Sequence, residues 1–199
     1  MRSRLVTARV RRNAVLLRLP PRVARFYSRA RRLAAREGDE WSLRSATGPE
    51  SLARILRLAR GRKRVVEVGT GTAWTTAALL LADRERHVLS FDPRVWPQRD
   101  RYLALAGAGV TARLEVVQAG GEQGPGERPW RPDMLFVDGS HDRDLTIATF
   151  EAWRPALAGG AIVAFHDYEN PEYPGVTKAI EALGLHGEAD GDVFVWRAP

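Results

Sequence analysis

The chain has 199 residues, 44% apolar and 28% charged. That length and balance suit one globular domain and exclude disordered, collagenous and disulfide-scaffold classes. No uncharged apolar run reaches the roughly 18 residues of a membrane span. The chain has no cysteine, which excludes disulfides, thiolate metal sites and cysteine nucleophiles but leaves the redox compartment open.

Charge is unevenly spread. Residues 1–64 carry 19 Lys and Arg against 4 Asp and Glu, while residues 65–199 carry 12 against 20. This pattern predicts a basic segment on an acidic globule. Residues 1–36 contain no acidic residue, and their arginines interrupt the short apolar stretch 14–17 on both sides. Such a segment does not fit a secretory signal, and a cytoplasmic location is expected.

Pro20 and Pro21 break the basic segment. Residues 23–36 then read as a helix with Val23, Phe26, Tyr27 and Leu33 on or near one face and arginines on the other. The apolar stripe is expected to pack on the domain or on a second subunit, which would make a homo-oligomer. Two further readings of the segment are a nucleic-acid or anionic-membrane contact through the arginines, and a mobile or cleaved tail.

Residues 49–60 predict another helix, with Leu52, Ile55 and Leu56 at helical spacing. From residue 64 the rhythm changes. Strands are predicted at 65–68, 87–91, 114–117, 133–137 and 161–165, separated by helices at 74–82, 97–107, 143–157 and 176–183. Strand–helix alternation of this kind builds a mainly parallel sheet covered on both faces. Asp190-Gly191, between segments 185–188 and 193–197, is a hairpin-type pair. The expected fold is therefore α/β: a Rossmann-like, doubly wound seven-stranded sheet ending in an antiparallel hairpin. Residues 119–132 read as a flexible loop on the side of the sheet where ligands bind.

The strongest motif is Glu67-Val68-Gly69-Thr70-Gly71-Thr72-Ala73 at the end of the first strand, followed directly by a helix. The glycines allow close backbone approach to a ligand, and the helix start offers free N–H groups. A dinucleotide fingerprint fails because Trp74 stands at its third small-residue position. Asp92 ends the second strand, where a carboxylate can accept hydrogen bonds from both ribose hydroxyls.

An acidic residue two places before the first glycine resembles the nucleoside-binding turn of class I S-adenosylmethionine-dependent methyltransferases, with Ala73 in place of the usual third glycine. The stretch Asp138-Gly139-Ser140-His141, followed by Phe165-His166-Asp167, resembles a subgroup of that family related to small-molecule, sugar and antibiotic O-methyltransferases. The resemblance spans residues 45–187. Arg143 stands where the subgroup has tyrosine, and Thr149 where it often has aspartate. After the third strand the family often has an acidic residue near the adenine; here Gln118 or backbone groups would substitute.

The resemblance implies S-adenosylmethionine as cofactor, held by Glu67, Gly69, Thr70, Gly71, Asp92 and Asp138. It implies methyl transfer to a small-molecule acceptor, at a hydroxyl oxygen. On this reading residues 1–44 are a basic helical extension and residues 45–199 the methyltransferase domain. Asp138, His166 and Asp167 fall at carboxyl ends of adjacent strands and could hold a divalent metal such as Mg²⁺ or Mn²⁺, with the imidazole suiting Mn²⁺, Fe²⁺ or Zn²⁺ better than Mg²⁺. A competing reading makes His141 or His166 the general base beside Asp138. A third leaves these residues to hydrogen-bond loops. Tyr168 and Tyr173 are candidates to line an acceptor pocket, and Trp74 to cover the cofactor. Two other functions stay open: RNA methylation using the basic arm, and a non-catalytic nucleotide- or partner-binding module on the same fold.

Overall fold

The computed structural model describes residues 17–199; the first part of the basic extension lies outside them. Seven strands form one sheet: β1 (Arg64–Val68), β2 (His87–Phe91), β3 (Leu114–Val117), β4 (Met134–Val137), β5 (Ile162–His166), β6 (Glu188–Asp190) and β7 (Val193–Arg197), in the order β3-β2-β1-β4-β5-β7-β6. The first five pair in parallel, and β7 runs antiparallel to both β5 and β6. The order reverses direction between β1 and β4, so the loops after those strands diverge and open a crevice at their carboxyl ends.

Both faces of the sheet are covered. Val65 and Val66 of β1 point to opposite sides, as the pleat requires, and each joins a separate buried cluster. On one side lie α1 (Pro21–Glu37), α3 (Pro49–Leu58), α4 (Trp74–Ala82), α5 (Arg99–Ala106) and the short α6 (Ala108–Thr111); on the other lie α7 (Arg143–Trp153) and α8 (Pro174–Ala182). Val23, Phe26, Tyr27, Ala30 and Ala34 of α1 are buried in the first cluster with Leu52, Ile55, Ala77 and Trp74. The apolar stripe of the basic segment therefore packs on the domain itself.

Three differences from the sequence reading have local causes. Residues Glu40–Ser45 form a short helix, α2, because Asp39 accepts the Ser42 N–H at 3.0 Å and caps it. The helix from Arg143 ends at Trp153 and tightens into a 3₁₀ turn, where Pro155 supplies no N–H. The hairpin turn is Gly191-Asp192 rather than Asp190-Gly191: Asp190 pairs with Val193, and Gly191 takes the left-handed backbone at φ +63°. Part of the loop 119–132 is also ordered, since the Trp153 indole N–H donates to the Gly121 carbonyl at 2.9 Å. Among the described residues no helix is long and apolar enough to cross a membrane.

Candidate active site

The turn after β1 is held against its neighbours by backbone contacts. The Gly69 N–H donates to the Phe91 carbonyl at 2.8 Å, tying the turn to the end of β2. Gly69 has φ +103°, and a Cβ there would stand 2.1 Å from the Asp138 carbonyl oxygen. Only glycine lets the two strand-end loops approach so closely. Glu67 differs from the expectation that it binds the cofactor. It is fully buried beneath the turn, on the α4 side of the sheet, and does not line the cavity described below. Its Oε2 accepts from Thr76 Oγ1 at 2.5 Å and from Ser90 Oγ at 2.7 Å. Burial pushes its pKa up to about 8 against the pull of these two hydroxyls. Glu67 thus fixes the turn from below through Thr76 and Ser90, and Ser90 in turn is 2.7 Å from Thr70.

Asp92 lies just beyond β2, facing the same turn. Its Oδ2 accepts the Gly71 N–H at 2.7 Å and its Oδ1 the Arg94 N–H at 2.8 Å. The carboxylate is thereby fixed in orientation at the cavity edge, with Gly69, Thr70 and Gly71 beside it.

At the other end, the loops after β4 and β5 bring four expected residues together. His166 Nδ1 is 2.7 Å from Asp138 Oδ1 and 3.4 Å from Asp167 Oδ2. Its Nε2 is 3.4 Å from Asp192 Oδ2, too long and poorly aligned for a hydrogen bond but close enough for charge attraction. Burial opposes a positive ring, yet the Asp138 charge and the contacts to Asp138, Asp167 and Asp192 override it and raise the pKa to about 12. His166 thus sits among three carboxylates that favour its protonated form. Asp192 is lowered to about 2 by His166 and by the Ser51 hydroxyl at 2.6 Å, against its own burial.

His141 is placed differently. Its Nε2 is 3.0 Å from Asp167 Oδ2, and its ring stacks on Tyr173 at 3.8 Å between centroids and 18° between planes. Among the described residues Nδ1 has no hydrogen-bond partner. Asp167 takes a left-handed backbone at φ +57°, a strain of about 1–3 kcal/mol that clusters at functional sites. The Asn170 amide holds it there, donating to Oδ1 at 2.7 Å. Burial raises the Asp167 pKa, but the His141 and His166 contacts outweigh it and bring it down.

The donor set for a cation also differs from the expected one. Asp138, His141 and Asp167 each offer one atom within 4.8 Å of the others. His166, expected in that set, bonds Asp138 through Nδ1 at 2.7 Å. The set mixes nitrogen and oxygen, as Mn²⁺ or Fe²⁺ sites do.

All these groups except Glu67, Thr76 and Ser90 line one cavity of about 930 Å³, at the upper end of the size of small-molecule sites. Several lining residues are not apparent from the motifs. Trp41 stacks on Trp96 at 3.7 Å, and the Arg94 guanidinium lies 5.8 Å from the Trp96 ring centre. Thr47 donates to Asp138 Oδ2 at 3.3 Å. Glu122 lines the cavity and Gln118 does not, so the acidic group after β3 arrives from the 3₁₀ turn Gly121–Gln123. Tyr173 lines the cavity as expected, whereas Tyr168 packs on Phe194. Trp74 lines it while packing edge-on against Tyr27 and Tyr102.

A family model described as a methyltransferase domain matches residues 66–168. No curated protein matches the sequence. Among solved structures the chain is similar to CalS11, a TDP-rhamnose 3'-O-methyltransferase of calicheamicin biosynthesis, with TM-score 0.60 and 19% identity over 74% of this chain and 77% of that one. It is similar to cofactor-bound Rv0187 from MTB, with TM-score 0.60 and 19% identity over 78% and 82%. An O-methyltransferase from Bacillus cereus in complex with SAH gives TM-score 0.60 and 16% identity over 78% and 84%. Identities this low establish the shared fold and nothing finer.

Proposed function

The chain belongs to the methyltransferase domain family, and on that premise we propose that it is an O-methyltransferase taking its methyl group from S-adenosylmethionine and acting on a small-molecule hydroxyl. The observation that carries this reading is the pairing of His141 Nε2 with Asp167 at 3.0 Å, in the same cavity that holds the Asp92 carboxylate. One end offers a nucleoside-type acceptor and the other a base, which is what the reaction requires of its site.

S-adenosylmethionine, when bound, supplies an already activated methyl group on sulfur. Asp92 would take the ribose hydroxyls, and the turn 69–72 would lie along the nucleoside. The residues fit this group: Asp92 is held rigidly by two backbone N–H donors, and the Trp41 and Trp96 rings border the same end. His141 takes the acceptor proton at Nδ1. Asp167 holds Nε2–H, fixes the tautomer and stabilises the imidazolium that forms. Tyr173 keeps the ring in plane. His166 offsets the charge of Asp138, Asp167 and Asp192. Alignment of the acceptor oxygen with the methyl carbon supplies much of the acceleration. Aromatic rings and Leu145 along the wall favour a hydroxylated organic acceptor, the class to which TDP-rhamnose, the CalS11 substrate, belongs.

A second reading is favoured by the three donor atoms within 4.8 Å: Asp138, His141 and Asp167 would hold a divalent ion that lowers the pKa of the acceptor hydroxyl. Titration with S-adenosylhomocysteine, followed by methyl-transfer assays on hydroxylated acceptors with and without EDTA, separates the two. Transfer that persists in EDTA supports His141 as base; transfer abolished by EDTA and restored by Mn²⁺ supports the ion. Absence of S-adenosylhomocysteine binding overturns both.

A further inference from the structure

The two faces of α1 are used differently. Its apolar residues are consumed by the core. On the opposite side Arg22, Arg25, Arg29, Arg32 and Arg36 succeed one another at steps of three and four residues, and all are exposed. That spacing sets side chains in one line along a helix, here about 21 Å long at roughly 1.5 Å per residue. Among the described residues only Arg36 of the five has an ionic partner, Glu37 at 3.5 Å. Near the start of the helix lies a groove whose walls carry five arginines, Arg18 and Arg60 among them, beside Glu50, Asp83 and Asp190. The nearest acidic group at the other end, Glu37, is also paired with Arg101.

Like charges three and four residues apart weaken a helix by about 0.2–0.5 kcal/mol per pair. The line therefore opposes folding and becomes favourable only against a polyanion. A membrane is a poor match, because an interfacial helix inserts a free apolar face and this face is buried in the domain. A duplex groove is a poor match too, since α1 lies flat along the domain and cannot project into one. A flexible phosphodiester strand can follow the line. Guanidinium forks bind phosphate oxygens two at a time, and every basic residue from 1 to 60 is arginine.

We propose that the Arg22, Arg25, Arg29 and Arg32 line is a docking track for single-stranded RNA, which it grips by the phosphate backbone without reading bases. This inference stands independently of the methyl-transfer reading.

The test is fluorescence anisotropy of a labelled oligouridylate across a salt series, using the full chain. One variant carries Arg22→Gln, Arg25→Gln, Arg29→Gln and Arg32→Gln. A charge-matched control carries Arg84→Gln, Arg131→Gln, Arg154→Gln and Arg197→Gln, all at exposed positions. Circular dichroism and thermal melting verify that both fold. The track variant is expected to bind at least about tenfold more weakly, with the slope of log K against log salt reduced by about 2.8, at roughly 0.7 per phosphate contact on a single strand. The control is expected to stay near wild type. Equal losses in the two variants would reduce the effect to net charge and overturn the proposal. So would wild-type protein that ignores the oligonucleotide, or that instead binds phosphatidylserine vesicles.

Discussion

His166 Nδ1 and Asp138 Oδ1 stand 2.7 Å apart at the ends of neighbouring parallel strands, whereas His141 bonds Asp167 through Nε2 at 3.0 Å and keeps Nδ1 without a hydrogen-bond partner among the described residues. On the proposed reading His166 compensates charge and His141 takes the proton.

The two histidines should respond differently to substitution. His141→Gln is expected to lower kcat by about 10²–10⁴, the usual contribution of a general base, while leaving affinity for S-adenosylhomocysteine nearly unchanged. His166→Asn removes the cation beside Asp138 and Asp167, while Asp192 keeps Arg54 at 3.2 Å, and is expected to destabilise the fold by about 3–5 kcal/mol. Calorimetry and urea unfolding of the two variants check the contrast.

Stability should fall as pH rises from mildly acidic to alkaline. Glu67 and His166 both have folded pKa values raised above their unfolded ones, to about 8 and about 12. Their stabilising contributions are complete below the unfolded values and drain away as pH climbs through the folded ones. Each contributes a loss of at most about 1.4 kcal/mol per pH unit. Urea midpoints should decline between the unfolded pKa of Glu67 and its folded value near 8, and Glu67→Gln should flatten that part of the curve. A wild-type midpoint that rises over this window would contradict the assignment. On the acid side the sign reverses: Asp167 and Asp192 have lowered pKa values, so their contributions are lost as pH falls below the ordinary carboxylate range.

Asp92→Ala removes the carboxylate that faces the turn and is fixed by Gly71 and Arg94. Loss of two ribose hydrogen bonds to a charged acceptor, at about 1.5–3 kcal/mol each, predicts S-adenosylhomocysteine affinity weaker by about a hundredfold or more. Isothermal titration measures this directly. Unchanged affinity would move the nucleoside elsewhere in the cavity.

Phe26→Ala tests whether α1 belongs to the domain. Phe26 is 3% exposed within the core, and truncating a buried Phe costs about 3–5 kcal/mol. In a protein of this size the melting temperature should drop by about 6–20 °C, at roughly 2–4 °C per kcal/mol. A detachable arm would show no change.

Much of this architecture could be read from residue order. Trp74–Ala82, His87–Phe91 and Leu114–Val117 begin and end where hydrophobic pattern and flanking breakers put them. The position of Asp92 followed from the end of its strand. The placement of Glu67 did not: a motif records that an acidic residue precedes the glycines, but whether it faces the ligand or α4 depends on which side of the pleat it occupies. The different surroundings of His141 and His166 were equally hidden, since they rest on ring nitrogens and on Asp192, which enters from the hairpin. Trp41, Thr47 and Ser51 reach the cavity from short N-terminal elements far from any glycine turn, and pairing across such distances leaves no local periodicity.

The stacked indoles of Trp41 and Trp96 have a thermodynamic corollary. One belongs to α2 in the N-terminal segment and the other to the loop after β2 that carries Asp92 and Arg94. A ligand that binds more tightly when the rings are stacked must, by reciprocity, strengthen the stack by the same factor. Docking of the N-terminal helices and occupancy of the cavity then form two sides of one cycle, so amide protection in Pro21–Glu37 becomes a remote gauge of what the cavity holds.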